Sequence, residues 1–350
     1  MVLKVTDAIP EFLEYQAGRG LAPGTVRRHG VAARGFAAAC QKVKGPQATM
    51  GQVDHACVAR FFSDLPGEQG YRNNCLETVK AFLGWAEKWG YLRPNFTAAK
   101  LLDGYKGRKA ERQPKYYLDA EEFPAALEAA GTRHPADRAI VALALFTLAR
   151  ASEIGPARLA DIDLAKGEIR LYREKRDRWT TTGMTPELVA EMNMWLRFYA
   201  AQMGYLSPYT MMREHPGWLL VPSRSRGHGR LQPETPVSAM ERVAKRLLTD
   251  LGVTATRQGK TADHLGEGMH TFRRSGARAF LKSLSERLGH QRALIQVSLM
   301  LDHDDLKQTI RYIGVEQERD ELNDWLKGNS MYGQPEPPQG GSLIQFRRAM

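Results

Sequence analysis

Cysteine is scarce in this chain of 350 residues: there are three, Cys40, Cys57 and Cys75, all in its first quarter. The count is odd and no C-x-x-C pair occurs, so neither a disulfide framework nor a zinc ribbon is expected. The three read as buried thiols of a reducing cytoplasm. Long hydrophobic runs are lacking too. The most apolar stretch, AIVALALFTLA at 139–149, lies between Arg138 and Arg150 and is too short to span a bilayer. It reads as a core helix, and no membrane partner is expected. The opening residues, MVLKVTDAIPEFLEYQ, carry acids and no apolar core, unlike a secretory signal. No internal repeat is visible.

What the chain has in excess is positive charge. Fifty Lys and Arg against 39 Asp and Glu leave a formal net charge of +11, which suits polyanionic partners. A hydrophobic content of 43% supports a real core, and the length suits two domains rather than one.

Residues 1–102 read as a helical bundle. Asp7 is placed to cap AIPEFLEYQA, and Pro-Gly-Thr opens the next helix. VDHACVARFFSDL and YRNNCLETVKAFLGWAEKWGYL add two more, with Phe82, Leu83, Trp85, Ala86 and Trp89 on one apolar stripe. Residues 103–116 change character. Basic residues crowd together, apolar periodicity stops and Pro114 opposes a helix, so this stretch reads as a basic interdomain linker. A second domain is expected over 117–328, and a Gly/Pro-rich flexible tail over 329–350. Within the second domain HPADRAIVALALFTLARASEIGPARL reads as helix. DIDLAKGEIRLYREKRDRWTTTGM reads as a strand hairpin or meander, with Gly167 at a turn and Ile169, Leu171 and Trp179 on the alternating apolar positions.

Four scattered stretches contain candidate reactive groups. In FTLARASEI, Arg150 and Glu153 are three apart, hence on one face of a helix. In HTFRR, His270 and Arg273 are related in the same way. Lys175 falls on the hairpin, where five basic residues occupy 170–178 and Arg173, Arg176 or Arg178 lie within a register slip of its place. In LMLDHDDLKQTIRYIG, His303 and Tyr312 are nine apart. On one continuous helix they would point to opposite faces. A break at Asp302, Asp304 and Asp305, which read as caps, lets a second helix fold the phenol back toward the imidazole.

As a set these groups have a chemical logic. Two guanidinium forks suit a phosphodiester and the extra charge of its pentacoordinate state. Cations favour a phenolate, a histidine can take its proton, and a lysine can protonate a departing sugar oxygen. The inventory describes phosphoryl transfer onto the protein itself. The carboxylates of a two-metal nuclease are missing from these segments, and the spacings of His264, His270, His290 and His303 match no zinc motif, so neither a metal nor another cofactor is expected.

The order of these residues resembles that of the tyrosine recombinases, the phage-integrase family. TLARASEI is similar to the family's T-G-x-R-x-S-E-[IL] box, HTFRRSGAR to H-x-L-R-[HR], and LMLDHDDLKQTIRYIGV to the final histidine and T-x-x-Y boxes. The likeness is close from about 140 to 315 and weaker over 1–100. Leu148 stands where the family usually has Gly, Phe272 where it has Leu, and Asp302 where it has Gly, beside a histidine whose titration a carboxylate would alter.

The resemblance implies a mainly α fold with a small β-sheet or hairpin in the catalytic domain: a two-domain DNA clamp of a helical core-binding domain and an α+β catalytic domain. It implies that Arg150 and Arg273 bind the scissile phosphate, that His270 and His303 hydrogen-bond its oxygens and manage protons, that Lys175 is the acid to the 5′ oxygen, and that Tyr312 attacks. Glu153 would orient the first box. Double-stranded DNA carrying specific sites would be the partner of a synaptic homotetramer, with the free protein a monomer and an accessory DNA-bending protein as a further partner. The setting would be cytoplasmic and nucleoid-associated. The helix EQERDELNDWLKG would be a candidate to pack into a neighbour, and no further arm-binding domain is expected ahead of the bundle. Integrase of a phage or mobile element, chromosome-dimer resolvase, type IB topoisomerase and non-catalytic DNA-binding protein all stay open at this point.

Overall fold

The computed structural model describes residues 3–67, 69–108, 117–225, 229–252 and 268–314. Residues 109–116 of the basic stretch, His264, the helix expected at 316–328 and the tail at 329–350 lie outside the described residues. Among the described residues no helix is long and apolar enough to cross a membrane. The chain divides into two compact units, Met1–Gln113 and Pro114–Met350.

The first unit is built from α1 (Val5–Gly18), α2 (Pro23–Lys44), α3 (His55–Asp64), α4 (Gln69–Lys88) and the single turn α5 (Ala98–Leu101). Proline opens α2 where its missing N–H costs nothing. Asp54 caps α3 by accepting from the N–H groups of Ala56 and Cys57. Asp7 does not cap α1: the helix starts earlier, with Lys4 at its N-cap, and Asp7 lies in the first turn. Phe12, Phe36 and Phe82 are fully buried, and Phe12 meets Phe82 edge-on at 5.1 Å. Each such ring is worth about 1.5–3 kcal/mol of burial. Trp89 departs from the expected stripe and is 56% exposed, because α4 has already ended at Lys88. All three cysteines are buried and free. Residues 103–108 pack on this unit: Tyr105 stacks on Phe62 at 4.6 Å, and Asn73 exchanges hydrogen bonds with the backbone of Arg108.

The second unit opens with α6 (Phe123–Arg133), α7 (Pro135–Thr147) and α8 (Ala151–Ile154). A three-stranded antiparallel sheet follows, β1 (Ile162–Asp163), β2 (Glu168–Arg173) and β3 (Arg178–Gly183), in the order β1-β2-β3. Then come α9 (Pro186–Gln202), α10 (Pro208–Glu214), the hairpin β4 (Pro222–Arg224) and β5 (Leu231–Pro236), α11 (Met240–Asp250), α12 (Met269–Leu288), α13 (His290–Leu301) and α14 (Leu306–Ile313). The second hairpin and α10 are additions to the expected elements.

Three features of this unit set the positions of the candidate groups. First, the helix expected over residues 134–159 is not continuous. It ends at Thr147, Leu148 takes a left-handed conformation (φ 54°), and α8 starts after Arg150. Second, β2 buries alternate residues, Ile169, Leu171 and Arg173, as a period of two requires. Trp179 is not on that inner face. It is half exposed, with the Arg170 guanidinium 4.6 Å from its ring centroid. Third, α12 crosses α7 so closely that a Cβ at Gly276 would fall 1.9 Å from the carbonyl oxygen of Leu145. Leu148, Ala277, Leu281, Val297, Leu301 and Ile313 fill a small core beneath α12, α13 and α14.

Candidate active site

Glu153 is the organising group. It lies in α8, is 1% exposed, and accepts from the backbone N–H of Arg150 (2.8 Å) and from Arg150 Nη1 (2.7 Å). The oxygen that accepts the Arg150 amide, Oε2, also pairs with Arg173 Nη1 and stands 3.6 Å from Arg273 Nη1. Burial alone would raise its pKa. Arg173, the Arg150 amide, Arg273 and the Arg150 side chain together outweigh that and hold the carboxyl below the usual range. One buried carboxylate thus brings together three guanidinium groups from α8's N-terminus, β2 and α12. Arg150 sits at the N-cap of α8 instead of along a helix face, so the expected i, i+3 pairing exists on different backbone geometry.

The three arginines differ in what they have left to offer. Arg173 turns both terminal nitrogens inward, Nη1 to Glu153 and Nη2 to the carbonyl of Met300 at 3.3 Å, and its buried Nε has no hydrogen-bond partner among the described residues. Arg273 Nη2 donates to the carbonyl of Leu301 (2.7 Å), while its buried Nη1 has no hydrogen-bond partner among the described residues. Burial pushes the Arg273 pKa down to about 10, so it keeps its charge at neutral pH. A buried N–H without an acceptor is costly, and an anion oxygen arriving beside Arg150 and Arg273 would satisfy it.

The break at the aspartates does what the spacing required. α13 ends at Leu301, Asp302 turns the chain in a left-handed conformation (φ 55°), and Asp305 caps α14 by accepting from the Lys307 N–H. The rings of His303 and Tyr312 then lie 5.4 Å apart, edge to face, and that of His270 is 6.2 Å from Tyr312. The Tyr312 hydroxyl donates to the backbone carbonyl of His270 at 3.2 Å. The Arg273 and Arg274 guanidiniums sit 5.7 and 5.2 Å from the Tyr312 ring centroid.

His303 registers the whole assembly. Its Nδ1 is 2.9 Å from Thr309 Oγ1. Burial, then Arg273, Arg150 and Lys175, push its pKa down to about 4, with Asp302 opposing more weakly. The imidazole is neutral at neutral pH and able to accept a proton. Lys175 is exposed in the short 3-10 turn Glu174–Arg176, and among the described residues it makes no ion pair. The neighbouring basic residues are committed elsewhere: Arg173 to Glu153, Arg176 to Asp302 and Asp304, Arg178 to Asp302.

The second unit therefore brings Arg150, Glu153, His270, Arg273, His303 and Tyr312 together, with Lys175 at their edge. Three supporting arginines were not given these roles by the sequence, and Arg173 entered there only as an alternative to Lys175. Arg173 shares inward parity with Ile169 and Leu171, and that alternation was the signal for its buried role. Buried Arg274 donates from Nε to the carbonyl of Tyr312 (2.7 Å), and Arg278 donates to that of Ile313 (2.8 Å). These bonds satisfy carbonyls at the end of α14, as a helix C-terminus requires.

A family model described as the phage integrase family matches residues 116–319. No curated protein matches the chain. Among solved structures, a lambda integrase dimer bound to a COC′ core site aligns with a TM-score of 0.59 at 13% identity, over 89% of this chain and 77% of that one. The XerH recombinase bound to a palindromic difH substrate aligns at 0.58 and 15%, over 87% and 80%. The Tn1549 transposon integrase with a circular-intermediate DNA aligns at 0.52 and 12%, over 93% and 100%. At these identities the likeness is one of fold.

Proposed function

The chain belongs to the tyrosine recombinase, or phage integrase, family, and from that premise we propose that it is a site-specific DNA recombinase working through a 3′-phosphotyrosyl intermediate. The observation that carries the reading is that Arg150 and Arg273 meet on one buried carboxylate while Tyr312 lies beside both Arg273 and His303, with a guanidinium N–H of Arg273 left without an acceptor among the described residues. In this reading Arg150 and Arg273 grip the scissile phosphate and the charge of its pentacoordinate state. The Tyr312 oxygen attacks phosphorus as His303 or His270 takes the phenolic proton. The bond to the 5′ oxygen breaks, and Lys175 Nζ gives that oxygen a proton. The energy of the broken bond is kept in the new ester, so a 5′ hydroxyl from another strand can reverse the step without ATP. Glu153 neither donates nor attacks. It holds the arginines.

The bundle of residues 1–102, the basic residues of 103–116 and the catalytic domain of 117–328 would share the grip on double-stranded DNA, as the charge of +11 suggests. A lambda integrase tetramer on a Holliday junction shares this fold with a TM-score of 0.56 at 14% identity. A homotetramer on two DNA sites is accordingly the proposed working assembly. Integration of a phage or mobile element is the proposed role.

The test is a nicked duplex carrying the recognition site. Incubation and denaturation in detergent should give a covalent protein–DNA adduct. Tyr312→Phe should abolish the adduct while DNA affinity stays within about threefold, since one hydroxyl is removed and no phosphate-binding cation. Binding without any adduct would leave a DNA-binding protein with no chemistry. An adduct with relaxation of arbitrary supercoils, but no exchange between sites, would mark a topoisomerase.

A further inference from the structure

Asp302 is an unusual residue for its place. It stands in a left-handed turn, where a non-glycine residue costs about 1–2 kcal/mol, although Asp is among those that tolerate it best. Its carboxylate is buried, and an unpaired buried carboxylate is costly. Glycine would make the turn with neither cost. The contacts of its side chain show what the acid adds.

Both of those contacts reach the β2–β3 hairpin. Arg176 Nε is 3.2 Å from Asp302 Oδ2, and Arg178 pairs with Oδ1. Arg176 also pairs with Asp304 and approaches the carbonyl of Asp302 at 3.5 Å. The two arginines flank Asp177, which is itself left-handed (φ 49°) immediately before β3. Lys175 belongs to the same tight turn as Arg176. On the other side, His303 follows Asp302 directly, and Tyr312 is carried by the helix that begins four residues later.

We propose that Asp302 is a positioning residue: with Arg176 and Arg178 it clasps the Lys175 hairpin to the turn that presents His303 and Tyr312. The clasp holds the acid for the leaving oxygen in register with the nucleophile. It acts on Lys175 through the hairpin backbone and touches no reacting atom. This inference rests on the recombinase reading above, because it assigns Lys175 the proton that goes to the 5′ oxygen.

That assignment supplies a readout that a merely structural role would not move. An alkoxide leaving group needs a proton. A sulfur in place of the bridging 5′ oxygen leaves as a thiolate, whose conjugate acid has a pKa of about 8.5, and needs none. Single-turnover cleavage is measured on two nicked duplexes that differ only in that atom. Lys175→Ala calibrates the assay and should lose rate on oxygen while keeping it on sulfur. Asp302→Asn keeps the shape and the turn but removes the charge. It should slow cleavage of the oxygen substrate by on the order of tenfold or more and leave the sulfur substrate within about threefold. The doubly substituted Arg176→Gln, Arg178→Gln protein breaks the clasp from the hairpin side and leaves the buried Asp302 carboxylate unpaired; assayed below the melting temperature it shows, it should give the same split. Equal losses on both substrates, or no loss on either, would overturn the clasp. An unsubstituted protein that forms no adduct with either substrate would overturn the recombinase reading itself, a separate result.

Discussion

Glu153 concentrates the site's electrostatics in one side chain. A carboxylate that is 1% exposed and faces Arg150, Arg173 and Arg273 compensates charges that would otherwise repel one another in a dry interior. Removing one partner of such a set costs more than the set contributes, because the remainder stays buried and uncompensated. Glu153→Gln should therefore destabilise the second unit by about 3 kcal/mol, read as a lowered Tm. The pH dependence has a definite sign. The pKa is lowered on folding, so the stabilisation is complete above the ordinary glutamate value of about 4.3 and disappears as pH falls through the folded-state value below it. The Tm gap between the two proteins should be wide at neutral pH and narrow in acid; a gap constant across that range would contradict the assignment. The pairing of Glu153 with Arg150 was legible from their spacing. The links to Arg173 and Arg273 were not, since they join residues 20 and 120 positions away and depend on how β2 and α12 pack.

At the scale of elements, the site depends on where α12 lies against α7. Gly276 permits that approach; Arg150 is the N-cap of the element that follows α7, and α12 carries Arg273. Any side chain at 276 has to displace backbone. Gly276→Ala should cost about 2 kcal/mol or more, at the upper part of the range for overpacking, and should slow cleavage by parting the two arginines. A melting curve together with a single-turnover rate checks both; unchanged values would show that the crossing relaxes freely. The turns explain the departures from the family pattern. Leu148 and Asp302, which stand where glycine is usual, are two of the three non-glycine residues with positive φ among the described residues. The turn at 148 was hidden because residues 139–149 read as one apolar helix, and Leu148 buries its side chain in the core below α12. The break at the aspartates was legible because Asp305 is a strong N-cap signal. The outward turn of Trp179 was not, because the extra residues at 174–177 reset the alternation after β2.

For the whole molecule, the excess of positive charge gives the broadest expectation. If many of these cations meet phosphates, log K for DNA should fall against log salt with a slope of roughly −4 or steeper, about −0.9 for each phosphate neutralised. Fluorescence anisotropy over a salt series measures it, and a nearly flat line would mean that the charge serves some other end. The division into two units follows from length and composition, and the helical character of the first unit's described residues was legible from their apolar periodicity. The central claim, however, concerns a single bond. Trapping the covalent complex on a nicked site, digesting it with protease and sequencing the DNA-linked peptide by mass spectrometry identifies both ends of that bond. The account predicts Tyr312 esterified to a 3′ phosphate, with a free 5′ hydroxyl on the released strand. A link at any other residue, or through a 5′ phosphate, would contradict it.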